Sequence, residues 1–278
     1  MPATVTVIGP GLLGGSILHA LRERRPDCRL QVWARRPETL ERLRELKLAD
    51  LATSDPGQAV QDSDLVVLCT PIEQMGALVK QFKSHLKPGA LVTDVGSVKG
   101  PVHRELSALL KDSCHWIGSH PMAGSEQSGL DAARGSLLQG ATTIITPTGE
   151  TAPEPLQRLT RFWESLGCKV IPLDPQTHDD HVAQISHLPH LVAALLVHCV
   201  TNESMRVAGP GFRDTSRIAA GPPDMWVEIF QANHEAVAAA LRRFLAETEQ
   251  ALQAVETGEC SRLLNLLTNA CQKRRSLP

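Results

Sequence analysis

Apolar residues fall into two textures along this 278-residue chain. Up to about residue 173, short apolar runs alternate with stretches in which apolar positions recur every three or four residues. Residues 4–8, 30–33, 64–69, 90–94, 115–117, 142–146 and 169–172 have the length and β-branched content of buried strands. Residues 18–25 and 75–85 read as helices, the second stopping at Lys87-Pro88-Gly89. This alternation predicts an α/β domain: a mostly parallel sheet with helices on both faces and a ligand crevice at the carboxyl ends of its strands. From Asp174 the strand-like runs stop. Residues 182–203, 226–256 and 260–273 carry apolar positions at helical spacing, which predicts an all-helical second domain. The expected division is therefore 1–173 and 174–278. Apolar helix faces this wide need cover, and a twofold copy of the chain is the expected partner, giving a homodimer through the C-terminal helices.

The first strand runs into Gly9-Pro-Gly11-Leu12-Leu13-Gly14, a G-x-G-x-x-G spacing, and then into a helix. Gly9 permits a sharp turn, Gly11 lets a pyrophosphate approach the backbone, and Gly14 lets the helix pack close to the sheet. At Leu12 and Leu13 the helix start offers unpaired N–H groups and a positive dipole end to phosphates. The first domain thus reads as a Rossmann-type dinucleotide-binding domain. Thr70 and Pro71, where the run 64–69 ends, lie on the same predicted crevice. An NAD site normally ends its second strand in Asp or Glu, which accepts from the ribose 2'-hydroxyl. Here the chain reads Ala34-Arg35-Arg36-Pro37. With the acid gone and two guanidiniums available for a 2'-phosphate, the predicted cofactor is NADP.

Charge narrows the partners. With 28 basic and 30 acidic residues, net −2, no overall field attracts nucleic acid or anionic lipid. The longest apolar stretch, 191–200, is interrupted by His198 and is about half a membrane span. A small-molecule partner is expected, with neither nucleic acid nor membrane. Seven cysteines are scattered, odd in number and without ligand spacing. Together with the absence of any signal-like segment before Thr4, they predict reduced thiols, no metal and a cytoplasmic setting.

Candidate chemistry sits at strand ends and in the helical half. Asp94-Val-Gly96-Ser97-Val-Lys99 closes one strand, and Gly118-Ser-His120-Pro-Met122-Ala-Gly124 closes the next. A histidine held between Pro and Gly in a strand-end loop suits general-base work near neutral pH, and Ser97 is placed to hydrogen-bond to it or to a substrate. In Ser186-His187-Leu-Pro189-His190 the proline interrupts a helical stretch and is expected to kink it. Arg213 and Arg217 lie four apart, so on a helix they share a face and suit a dicarboxylate.

These motifs together, with Leu68-Cys69-Thr70-Pro71 and Gly211-Phe-Arg213-Asp-Thr-Ser-Arg217, span about residues 4–270. In that combination the chain resembles the prephenate/arogenate dehydrogenase family, the tyrosine-biosynthetic TyrA enzymes. The resemblance implies that His120 is the catalytic base, Ser97 its partner near substrate and nicotinamide, and Arg217 a carboxylate clamp. His190, Arg213 and Trp226 would surround the pocket. The implied substrate is a cyclohexadiene with a ring carboxylate at C1 and a hydroxyl at C4. It loses a hydroxyl proton, a hydride and carbon dioxide as the ring becomes aromatic. Prephenate is the expected substrate and arogenate the alternative, with Asp214 and Glu228 as acids that could sense arogenate's ammonium group. Two other readings compete. A β-hydroxyacid or imine-reducing dehydrogenase generally uses a lysine acid in its helical domain, but no lysine occurs between residues 174 and 259. A non-catalytic NADP sensor would have no use for His120, Ser97 and Arg217 together.

Overall fold

The structure is a computed structural model and describes residues 1–277 except Asp112 and Glu126. Its main sheet is built from β1 (Thr4–Ile8), β2 (Arg29–Trp33), β3 (Leu51–Thr53), β4 (Leu65–Leu68), β5 (Leu91–Asp94) and β6 (His115–Trp116). All are parallel, in the order β3-β2-β1-β4-β5-β6. Helices α1 (Leu12–Arg24), α2 (Pro37–Glu45), α3 (Pro56–Val60), α4 (Ile72–Phe82) and α5 (Gly100–Leu110) connect them. The continuous apolar runs follow from burial on both faces. Val5, Val7, Leu65 and Val67 pack on one side with Ile17 and Leu21 of α1, whereas Ile8, Val66, Leu68 and Val92 pack on the other with Met75, Val79 and Phe82 of α4 and Leu106 of α5. Strand order reverses between β1 and β4, which opens the crevice where α1 begins.

The strands expected at 142–146 and 169–172 form, but in a second, three-stranded sheet with a strand the sequence did not announce. β7 (Gly118–Pro121) runs antiparallel to β8 (Thr142–Thr146), which is parallel to β9 (Lys169–Pro172). Helix α6 (Pro153–Ser165) joins the last two and adds Leu159, Phe162 and Trp163 to the core. His120 is therefore not in a strand-end loop, as the sequence suggested. It lies inside β7, in register with Ile144. The Gly-Ser-His-Pro composition hides this strand because its pairing depends on close approach: a Cβ on Gly118 would lie 2.5 Å from Thr146 Oγ1.

Beyond β9 the chain is helical, with α7 (Pro175–Val182), α8 (Leu188–His198), α9 (Asn202–Met205), α10 (Pro210–Ser216) and α11 (Pro223–Ala232). Asp174 caps α7 by accepting from the Gln176 and Thr177 amides. Between α7 and α8, residues Ala183–His187 form a π-helical turn, and Pro189 falls in the first turn of α8. The wider turn accommodates the proline's missing N–H. Contacts divide the chain into two compact units, Met1–Asn233 and the segment from His234 onward, so α7–α11 share a unit with both sheets. The second unit consists of α12 (His234–Glu256) and α13 (Cys260–Arg275), which pack on each other. Leu245, Leu252 and Val255 of α12 and Leu264 and Leu267 of α13 are each more than half exposed. Among the described residues no helix is long and apolar enough to cross a membrane.

Candidate active site

The crevice at the end of β1 is made largely of backbone. Gly9 has φ +96°, and a Cβ on it would sit 2.8 Å from Thr70 Cγ2, so both conformation and space require glycine. A Cβ on Gly14 would collide with the Gly9 carbonyl oxygen and press on Val7. Above Gly11, by contrast, there is nothing within 4 Å of such a Cβ. The helix N-cap is Gly11, which has no side chain to cap the amides, and the first bond into the helix runs from Gly15 N to Gly11 O, 2.8 Å. The N–H groups of Leu12, Leu13 and Gly14 precede it and remain available. Thr70 Oγ1, at the end of β4, is buried without a hydrogen-bond partner. Arg35 and Arg36 are exposed just beyond β2, behind the buried Ala34. Open space over Gly11, free amides, an orphaned hydroxyl and two exposed guanidiniums together fit a phosphorylated dinucleotide.

A cavity of about 500 Å³ brings most of the candidate residues together. Ser97, from the loop after β5, and His120, on β7, form one wall. Ser186, His187, His190, Arg217 and Trp226 come from the helical segments, and Arg134 and Met122 also line the space. His190 and Trp226 stack face to face, with ring centroids 3.6 Å apart and an interplanar angle of 12°. Gly221 permits this stack, since a Cβ there would lie 2.7 Å from Trp226 Nε1. Arg213 is exposed on α10 and is not among the residues lining the cavity. Asp214 and Glu228 do not line it either, and the described lining residues include no Asp or Glu. No group of histidines, cysteines and carboxylates suited to a metal ion occurs among the described residues.

Beneath His120 lies a buried polar network. His120 Nδ1 is 2.9 Å from His178 Nε2, and His178 Nδ1 is 2.8 Å from Asp179 Oδ1. Asp179 also accepts the amides of Lys99 and Gly100, at 2.7 and 2.8 Å, where α5 begins. Lys99 is buried in an ion pair with Asp94, whose carboxylate in addition accepts the Gly96 and Ser119 amides. Asn233 donates to the Asp179 carbonyl at 2.9 Å and lies 3.2 Å from His187 Nδ1. No hydrogen bond joins Ser97 to His120; His178 occupies that role instead.

Burial governs the protonation of this cluster. It is the largest influence holding His120 well below the ordinary histidine range, with the charges of His178, Lys99 and His187 acting in the same direction. His178 is also lowered by burial, against the pull of Asp179. Burial brings His187 down to about 4, and His190 is lowered for the same reason. Neutral imidazoles therefore line the cavity near pH 7. Burial likewise lowers the Lys99 ammonium, opposed by Asp94.

Sequence reasoning missed Arg134, His178 and Asp179. The Asp174-Pro175 start announces α7, and a His-Asp pair on a helix is a usable signal. Which strand that helix faces is a property of the tertiary fold.

The family profile for the prephenate dehydrogenase nucleotide-binding domain matches residues 17–172, and that for the prephenate dehydrogenase dimerization domain matches residues 174–269. A cyclohexadienyl dehydrogenase of Zymomonas mobilis is 31% identical, the alignment covering 98% of this chain and 95% of that protein. The crystal structure of prephenate dehydrogenase from A. aeolicus, in complex with hydroxyphenyl propionate and NAD+, superposes with a TM-score of 0.91 at 30% identity, over 99% of this chain and 98% of that one. Synechocystis arogenate dehydrogenase gives a TM-score of 0.85 at 32% identity, over 98% and 99% of the two chains. A Rossmann-type nucleotide-binding domain followed by a largely helical dimerisation domain, matched end to end by these relatives, places this chain in the prephenate dehydrogenase family of oxidoreductases, which carry out prephenate or arogenate dehydrogenation toward tyrosine.

Proposed function

We propose that this protein oxidatively decarboxylates prephenate, with NADP as hydride acceptor, and does so as a homodimer. The observation that carries the choice of substrate is the charge of the cavity wall. Arg134, Arg217 and three histidines line it, and no carboxylate does among the described residues. Such a wall suits a dicarboxylate with a keto side chain. Among the described lining residues the ammonium group of arogenate would find no anionic partner.

In this reading Arg217 holds a substrate carboxylate while His120 takes the proton of the C4 hydroxyl. The C4 hydride departs as the C1 carboxylate leaves as carbon dioxide and the ring becomes aromatic. A bound nicotinamide supplies the hydride acceptor. His120 is suited to its step because burial keeps it neutral. Ser97 lies on the same wall, on the β5 side, where it can orient the hydroxyl. Stacked on each other, Trp226 and His190 give a flat surface against which a ring can rest. Arg35 and Arg36 support NADP, since both are exposed and Ala34 leaves no acid to repel a 2'-phosphate. The dimer rests on the family's dimerisation domain and on the exposed apolar positions of α12 and α13.

Initial rates with prephenate and arogenate, each with NADP and NAD, test the proposal. The highest kcat/KM is expected for prephenate with NADP, and Ala34→Asp combined with Arg35→Ser should move preference towards NAD. A kcat/KM at least 100-fold higher for arogenate, about 2.7 kcal/mol of transition-state discrimination, would overturn the choice of substrate. A higher value with NAD for the unmodified enzyme would overturn the choice of cofactor.

A further inference from the structure

Asp179 is the centre of the buried network, and it reaches the cavity by two routes. Its carboxylate touches His178, which touches His120. Its backbone carbonyl accepts from Asn233, which touches His187. Every member is buried, and none of Asp179, His178 or Asn233 lines the cavity. Such a cluster is costly to bury unless its protons are ordered.

The order of protons follows from what each atom can do. An ionised carboxylate only accepts, and Asp179 Oδ1 already takes the Lys99 amide, so the hydrogen between it and His178 belongs to His178 Nδ1. A neutral His178 then has a bare Nε2, which must accept. The hydrogen between the rings therefore belongs to His120 Nδ1. A neutral His120 with its proton on Nδ1 has its free lone pair on Nε2. We infer that His178 and Asp179 are positioning residues for the reaction: through this chain they hold His120 as the Nδ1–H tautomer, with Nε2 as the nitrogen that accepts the substrate proton. This rests on the reading of His120 as the base.

The step balances simply. Nε2 gains the hydroxyl proton, both Nδ1–H bonds stay where they are, and the positive charge that forms on His120 is stabilised by the His178 lone pair, itself polarised by Asp179. Without His178 the imidazole loses the acceptor that selects its tautomer, and the Nε2–H form, unable to act as a base towards the cavity, becomes populated. The second route has the same logic. Both Asn233 Nδ2 hydrogens are directed, one to the Asp179 carbonyl and one to His187 Nδ1, so His187 presents Nε2–H as a donor. That nitrogen is buried without a partner.

The test combines tautomer and rate. In [15N]histidine-labelled protein, with the His120 signals assigned by their loss in His120→Asn, the wild type should show a pyrrole-type Nδ1 and a pyridine-type Nε2. His178→Leu should shift His120 towards the Nε2–H form and cut kcat by roughly 100-fold or more, with KM for prephenate changed less than threefold. His178→Gln, whose amide oxygen can accept from Nδ1–H, should recover at least tenfold of that loss. The acid limb of the kcat profile should move in His178→Leu. The groups that bear on this limb are His178 on α7, Lys99 at the start of α5 and His187 on the π-helical turn, which act on His120, with Asp179 on α7 and Asp94 at the end of β5 acting on His178. An Nε2–H tautomer in the wild type, or a folded His178→Leu enzyme with unchanged kcat and acid limb, would overturn the inference. The wild-type spectrum needs no variant enzyme to be active. If His120→Asn kept full turnover while the spectrum showed Nδ1–H, the base assignment would fail and the tautomer chain would stand.

Discussion

The two candidate ligand-binding regions of this molecule are built by opposite means. The candidate dinucleotide crevice is mostly backbone: three glycines, a helix start and the ends of two strands, with only Arg35, Arg36, Thr70 and Pro71 of its named members lying beyond residue 14. The candidate substrate cavity is made of side chains, and two of its histidines, His120 and His187, are held by partners 58 and 46 residues away in sequence. A backbone site needs little besides local conformation. A side-chain site of buried histidines needs an ordered network behind it, so the two should respond differently to substitution.

The largest effect is expected behind the cavity. Lys99→Met leaves the Asp94 carboxylate buried without its cation, which should cost about 3–5 kcal/mol of stability. Denaturant unfolding measures this, and a loss under about 1 kcal/mol would show that the Gly96 and Ser119 amides suffice for Asp94.

Acid should act on the same region. The unfolded chain protonates His187 near pH 6.5, whereas burial holds the folded group at about 4. The unfolded state thus binds the extra proton first. His187's contribution is complete above pH 6.5 and is lost as pH falls towards 4, up to about 3 kcal/mol. His120 and His178, both lowered, act in the same direction. Unfolding free energies across pH 7 to 4 check this, and His187→Gln should flatten the profile. A profile unchanged by that substitution would place the acid sensitivity elsewhere.

The crevice separates stability from binding. Gly14→Ala forces a Cβ against the Gly9 carbonyl oxygen and should destabilise by about 1–3 kcal/mol. Gly11→Ala meets no protein atom within 4 Å, so stability should stay within about 0.5 kcal/mol of wild type. Its nucleotide affinity should fall about tenfold or more, because the methyl group occupies the space a pyrophosphate needs. Thermal melts with and without cofactor distinguish the two variants. Equal affinities for Gly11→Ala and wild type would move the pyrophosphate away from Gly11.

Arg217→Ala gives the smallest of these effects. Arg217 is exposed at the cavity, so solvent weakens its hold on a carboxylate, and the loss should be about 1.5 kcal/mol, roughly tenfold in KM with kcat largely kept. Unchanged KM would show a structural guanidinium.

The same contrast explains what could be read from the sequence. The glycine spacing, the apolar strands and Ala34-Arg35-Arg36 are local signals, and each is visible in one dimension. Ser97, His120, His190 and Arg217 lie in the motifs, Trp226 comes from the family resemblance alone, and the cavity gathers all five. Arg213 was paired with Arg217 by helical spacing, but α10 ends at Ser216 and Arg217 begins a 3-10 turn, so the expected shared face is not continued. What the sequence does not show is which groups the support meets. β7 has no apolar alternation to announce it, and the partners His178, Asp179 and Asn233 meet their targets only after α7 and α11 have packed.

Turnover of His120→Asn on prephenate with NADP tests the central claim most directly. The substitution keeps a polar side chain in β7 but removes the base, so the enzyme should fold, bind both ligands with near-wild-type affinity, and turn over about 100-fold more slowly or worse at every pH. Turnover within a few-fold of wild type across the pH range would contradict the assignment of His120 as the base.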